Sequence, residues 1–227
     1  MKSTKFLRLA AIPAALLISQ VGLATPIKGT YHDLSASNSA SHPDTVRADV
    51  DKICKYCHTP HDASTNVAVP LWNHEMSTST FTMYNAANTG STTLDGAVAV
   101  QPDPYSAVCL ACHDGTVALD AMIATPYVYG GFTSNGITMA DISSSHNQGF
   151  DLSNDHPISI VYDAATDGEL HPIATVETAG LDLFPGSVGT DQVECATCHD
   201  VHNFGPFKPF LKADNTASAL CLTCHIK

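Results

Sequence analysis

The sequence predicts a mostly irregular fold, with short helices and a few short strands, organised around covalently attached groups and not around one apolar core. Three observations predict it. All eight cysteines fall in four copies of Cys-x-x-Cys-His: Cys54, Cys57 and His58; Cys109, Cys112 and His113; Cys195, Cys198 and His199; Cys221, Cys224 and His225. Residues 35–41, 85–96 and 130–150 are rich in Ser, Thr, Asn and Gly and read as loop. Periodic apolar sequence is scarce, so side chains alone do not fill an interior.

Each Cys-x-x-Cys-His copy is an attachment motif for c-type haem. Two thiols add across the vinyl groups of one porphyrin, and the adjacent imidazole binds the iron. Two zinc sites of four thiolates, disulfides or redox pairs would also use eight cysteines, but none of these needs a histidine after every pair. With 12 histidines in 227 residues, chance placement at all four sites is roughly one in a hundred thousand. The reading is four covalent haems c, with His58, His113, His199 and His225 as proximal ligands. At about fifty residues per haem, the porphyrins supply much of the core.

The elements follow in chain order. Residues 1–24 read as a secretory signal: Lys2, Lys5 and Arg8, a short apolar run over residues 9–17, and Gly22-Leu23-Ala24 as a small-x-small cleavage site. The run is too short to span a bilayer, and no later stretch is long and apolar enough to do so. Residues 25–227 form a single domain. Its best strand is 158–162, from β-branched alternation, and a helix over 216–225 carries the last motif with Asn215 as its cap.

The chain repeats itself in order. Ser106 to His113 matches Ser218 to His225, and Cys54 to His61 matches Cys195 to His202. Asp33-Leu34-Ser35 matches Asp151-Leu152-Ser153. The domain therefore divides into two di-haem halves, about 25–125 and 149–227, whose haems meet across the join.

The second axial ligand of each iron comes from elsewhere. Eight histidines are spare: His32, His42, His61, His74, His146, His156, His171 and His202. They outnumber Met76, Met83, Met122 and Met139, which lie in no shared motif and read as core filling. His61 and His202 sit three residues past a proximal histidine, too close to grip the same iron, so each reaches a neighbouring haem. His156, just before the strand, is the choice in the second half. In the first half His32, His42 and His74 all remain.

Formal charge is −12 and falls to about −15 once the signal cations are gone. An acidic surface argues against nucleic acid as a partner. No phosphate loop or nucleophile motif is present.

These residues resemble the doubled-CxxCH multihaem cytochromes exported by metal-reducing bacteria. The phrases that carry the resemblance are His32 to Ser35, Cys57 to Ala63, Pro70 to Asn73, Cys112 to Val117, Asn154 to Ile158, Cys198 to His202 and Ser218 to His225, in the family's order. It is similar above all to the tetrahaem members that polymerise into extracellular filaments. The resemblance implies His32 as the first-half ligand, completing the distal set His32, His61, His156 and His202. It implies an electron carrier and not an enzyme, located outside the cell or at its surface, with periplasm as the alternative. Implied partners are other copies of the chain, other multihaem cytochromes and external acceptors such as metal oxides. A discrete tetrahaem shuttle is the alternative, and a multihaem reductase is less favoured because all four motifs keep their histidine.

Intact-mass spectrometry of the exported protein is expected to show the polypeptide plus four haems, matched by pyridine haemochrome absorbance. No mass gain refutes the reading.

Overall fold

A computed structural model describes residues 27–35, 37–38, 52–67, 69–124, 134–142, 145–202 and 205–226. Residues 1–24, expected to be a secretory signal, and His42 lie outside the described residues. The first motif sits on a single 3-10 turn, Ile53–Tyr56. Helix α1, Ala86–Thr89, is capped by the Asn85 side chain, which accepts from the Asn88 amide, and is closed by Gly90 at φ 70. Helix α2, Pro104–His113, carries the second motif. Pro104 suits its first turn, where the missing N–H is no loss. One face buries Ser106, Leu110 and Ala111, the spacing of a helical stripe. Helix α3, Met139–Ile142, follows. Strand β1, Ile160–Val161, pairs antiparallel with β2, Gln192–Val193, with Ile160 opposite Val193. Helices α4, Ile173–Thr178, α5, Cys195–Cys198, and α6, Ala219–Cys224, complete the chain.

Two elements depart from their sequence expectation. The strand expected over 158–162 is regular only at Ile160–Val161, because Ser159 takes a left-handed φ of 52. The segment still bonds on both sides: Val161 N–H donates to Ala97 O at 2.9 Å and Ser159 N–H to Val193 O at 2.7 Å. The helix expected over 216–225 is broken into the turn Thr216–Ser218 and α6. Ala217 and Ser218 are left-handed, at φ 53 and 66, and the Asn215 side chain caps nothing.

The apolar interior is divided. Phe81, Met83, Leu110 and Leu152 form one cluster, Tyr56 and Met122 a second, and Tyr162, Val176 and Leu181 a third. The duplication is visible in the chain's bonds. Ser35 N–H and Ser153 N–H each donate at 3.1 Å to the aspartate two residues earlier, and both serine hydroxyls donate to that same aspartate oxygen at 2.5 Å. Leu34 packs on Tyr56 and Met122 within its own half, whereas Leu152 of the second half crosses the join and packs with Phe81, Met83 and Leu110 of the first.

Polar bonds join the halves. Asp103 Oδ2, at the start of α2, accepts from Gln192 Nε2 at 2.7 Å, Ser187 N–H at 2.9 Å and Ser187 Oγ at 3.0 Å. Glu194 accepts from the hydroxyls of Ser106 and Ser159. Gly186 lies over this junction. A Cβ there would stand 2.5 Å from Gln192 Nε2 and closer still to Asp103 Oδ2. Gly186→Ala is therefore expected to destabilise the holoprotein by about 1–3 kcal/mol through overpacking, read as an earlier midpoint in denaturant unfolding. An unchanged midpoint would contradict the tight junction.

Candidate haem-binding site

The four motif histidines are held by the backbone beside them. In the first motif, Thr59 N–H bonds Leu71 O at 2.9 Å and Asn73 N–H bonds Cys57 O at 2.9 Å. That ladder places Pro70 O 3.0 Å from His58 Nδ1. The third motif repeats it: Asp200 N–H to Phe210 O, Lys212 N–H to Cys198 O, both 2.9 Å, and His199 Nδ1 3.0 Å from Pro209 O. Leu71 and Phe210 occupy equivalent places in the two loops and are both left-handed, at φ 57 and 54. Two non-glycine residues in that region mark a turn the surrounding bonds enforce. In the second motif His113 Nδ1 faces His146 O at 2.7 Å. A carbonyl oxygen only accepts, so Nδ1 carries the proton in each case. The lone pair of a neutral ring is then on Nε2, the nitrogen free for iron. Burial also holds His113 below the usual imidazole pKa, which keeps it neutral. The fourth motif is braced differently: Leu170 bridges His225, and the Tyr162 hydroxyl donates to His171 O at 2.7 Å and Cys224 O at 3.1 Å.

A metal–imidazole bond is about 2 Å, so two imidazoles on opposite faces of one iron have ring centroids about 6 Å apart. Three spare histidines stand at that spacing from three different motif histidines. His202 lies 6.0 Å from His58, His32 lies 6.1 Å from His113, and His156 lies 6.4 Å from His225. His156 Nδ1 faces Pro157 O at 3.0 Å, so its Nε2 too is left for a metal. His32 is seated by the Phe210 ring at 4.6 Å. These residues fit porphyrin iron held between paired imidazoles. His61 is exposed, and it is not brought against His199; among the described residues no imidazole makes ring contact with His199.

His74 goes elsewhere. It is 1% exposed, with Nδ1 2.8 Å from Glu75 O and Nε2 3.0 Å from Ala118 O and 3.4 Å from Cys112 Sγ. Both ring nitrogens are engaged by the chain, and burial holds its pKa down.

The attachment cysteines lie near one another in succession. Burial, then the Cys54 thiol, pushes Cys57 up to about 11. Burial, then Cys57, pushes Cys112 up. A hydrogen bond between the Cys109 and Cys195 thiols holds the Cys109 pKa up and the Cys195 pKa down. Burial, with Cys195 and Cys221 nearby, raises Cys198. Motif one thus adjoins two, two adjoins three, and three adjoins four. Sequence reasoning found every histidine of these pairs. It missed the Nδ1 acceptors, although Pro70-Leu71-Trp72 and Pro209-Phe210-Leu211, each following a Cys-x-x-Cys-His-x-x-His unit, were a legible signal of them.

His74→Leu and His42→Leu are each expected to leave four low-spin haems in the visible and electron paramagnetic resonance spectra. One high-spin iron in either variant would transfer the ligand role to that residue.

Among the described residues no helix is long and apolar enough to cross a membrane. No curated protein matches the chain. Residues 187–227 match the family described as Doubled CXXCH motif. That stretch contains motifs three and four, and the match supports a multihaem cytochrome of c type that binds haem covalently and transfers electrons.

Proposed function

We propose that this chain is an exported tetrahaem electron carrier, with four bis-histidine haems c, whose subunits join end to end into a conducting filament outside the cell. The observation that carries the tetrahaem reading is the set of three histidine pairs at 6.0, 6.1 and 6.4 Å, each built on a different motif histidine.

Haem c supplies reversible one-electron chemistry at a six-coordinate iron, which exchanges electrons by an outer-sphere route without binding a substrate. The chain does the rest. Cys54, Cys57, Cys109, Cys112, Cys195, Cys198, Cys221 and Cys224 hold the porphyrins. His58, His113, His199 and His225 bind the proximal face. His202, His32 and His156 close the distal face of the first, second and fourth centres. His61 closes the third, by the symmetry of the duplication: His202 follows the third motif and serves the first, so His61 follows the first and serves the third. Backbone carbonyls fix the ring orientations and raise ligand basicity. Two imidazoles keep potentials low relative to a Met ligand.

The filament rests on the family resemblance. A head-to-tail contact that does not close generates an open polymer, and the ends of the haem series are the contacts that would pass electrons onward. One reading favours a discrete shuttle: three distal ligands come from the same chain as their irons.

His61→Ala, His202→Ala, His32→Ala and His156→Ala are each expected to convert one of four haems to high spin. A variant that keeps four low-spin irons removes that residue from the ligand set. Electron microscopy of the native secreted protein decides the assembly. Filaments with a regular subunit repeat support the polymer; uniform single particles at high concentration refute it.

A further inference from the structure

The junction between the second and third motifs contains two buried carboxylates with no cationic partner. Glu194 is 1% exposed and Asp103 7%. Glu194 Oε2 accepts from Ser159 Oγ at 3.0 Å and from Ser106 Oγ, and Oε1 faces Gln192 Nε2 at 3.3 Å. The two hydroxyls are oriented in turn: Cys195 N–H donates to Ser106 Oγ at 3.0 Å, and Asp103 N–H to Ser159 Oγ at 2.9 Å. Gln192 Nε2 spans the two acids, while its Oε1 accepts from Val188 and Gly189 N–H at 3.0 and 2.9 Å. Among the described residues no Lys or Arg pairs with either acid. The titratable groups facing Glu194 are Asp103 from the start of α2 and Cys195 at the start of α5; Cys109 of α2 lies one contact further, against Cys195. Ser159 and the 184–190 turn present no titratable side chain. The cysteines are thioether anchors in the holoprotein and do not titrate.

An isolated buried carboxylate is costly to keep ionised. Burial, and then the charge of Asp103, raises the Glu194 pKa against the opposing serine bonds. Porphyrins attached at Cys195, the next residue in the chain, and at Cys109 would bring ferric iron, a positive charge, into the surroundings of this carboxylate.

Building on the tetrahaem reading, we propose that Glu194 is a proton-binding site coupled to reduction of the haems attached at Cys109/Cys112 and Cys195/Cys198. As an adjoining iron takes one electron from an external one-electron donor, the Glu194 carboxylate takes one proton from water and becomes the carboxylic acid. Reoxidation returns both. The sign follows from linkage: an ionised Glu194 stabilises the ferric state, so the midpoint of these centres falls as pH rises through the Glu194 titration. Asp103, the more exposed acid, is a second positioning residue, since its charge sets where that titration lies.

The test is spectroelectrochemical titration of the holoprotein over a range of pH, with dithionite or an electrode as donor. Wild type is expected to show a pH-dependent limb in at least one centre. Glu194→Gln, with four haems confirmed by pyridine haemochrome, is expected to flatten it and to raise that midpoint at alkaline pH. A tenfold shift in the electron-binding constant corresponds to about 59 mV. Asp103→Asn is expected to keep the limb but move it to lower pH. Redox-difference infrared spectra of wild type are expected to gain a carboxylic-acid carbonyl band on reduction. This measurement stands even where Glu194→Gln does not fold. Flat wild-type midpoints, a limb unchanged in Glu194→Gln, which would assign it to propionates, or no carbonyl band would each overturn the proposal. A blank haemochrome would instead sink the tetrahaem reading.

Discussion

Imidazole pairs facing each other at about 6 Å are the constraint on which the rest of this chain depends. A histidine left to itself samples several rotamers, and a porphyrin held by two thioethers still needs both axial nitrogens aimed along one line. The chain meets this with backbone carbonyls. Pro70, His146 and Pro209 present oxygens to the Nδ1 atoms of His58, His113 and His199. Each such bond selects one tautomer and one ring orientation together. The left-handed turns at Leu71 and Phe210 follow from this, because they swing the preceding proline carbonyl onto the ring.

Such tethering explains why so little regular structure suffices. Helices of four to ten residues would be marginal alone. Here most of them carry or abut a motif, and they are fixed by bonds at their ends: the Tyr162 hydroxyl at Cys224, and Thr197 with Glu194 around α5. The three small apolar clusters flank the motifs and do not merge.

The duplication then acquires a mechanical meaning. Both halves reuse one Asp-Leu-Ser turn and one carbonyl-tethered motif, yet they do not stand as separate bodies. His202 of the second half faces His58 of the first. Phe210 of the second seats His32 of the first. The Asp103–Gln192–Glu194 array locks the join with neutral donors around two acids. The contact of His202 with His58 brings together the third and first motifs, which the chain separates by more than a hundred residues.

Read alone, the sequence determined what is local. Cys-x-x-Cys-His is complete within five residues, so the candidate attachment points and the histidine beside them need no knowledge of the fold, and in-order repeats reveal the duplication. It also narrowed the candidates for a distal ligand by chemistry, since few residue types bind haem iron. Which histidine meets which was decided by tertiary structure, because His32 and His113, or His156 and His225, meet only after long loops close. The same holds for His74, whose neighbour tryptophan and proline gave no hint that Ala118 and Glu75 would occupy both its nitrogens. The break at Ser159 escaped propensity for a related reason: bonds to the distant Asp103, Val193 and Glu194 hold a backbone conformation that local preference disfavours. Nothing in the sequence around Glu194 marks it as buried. Only the packing of α2 against α5 withdraws it from water.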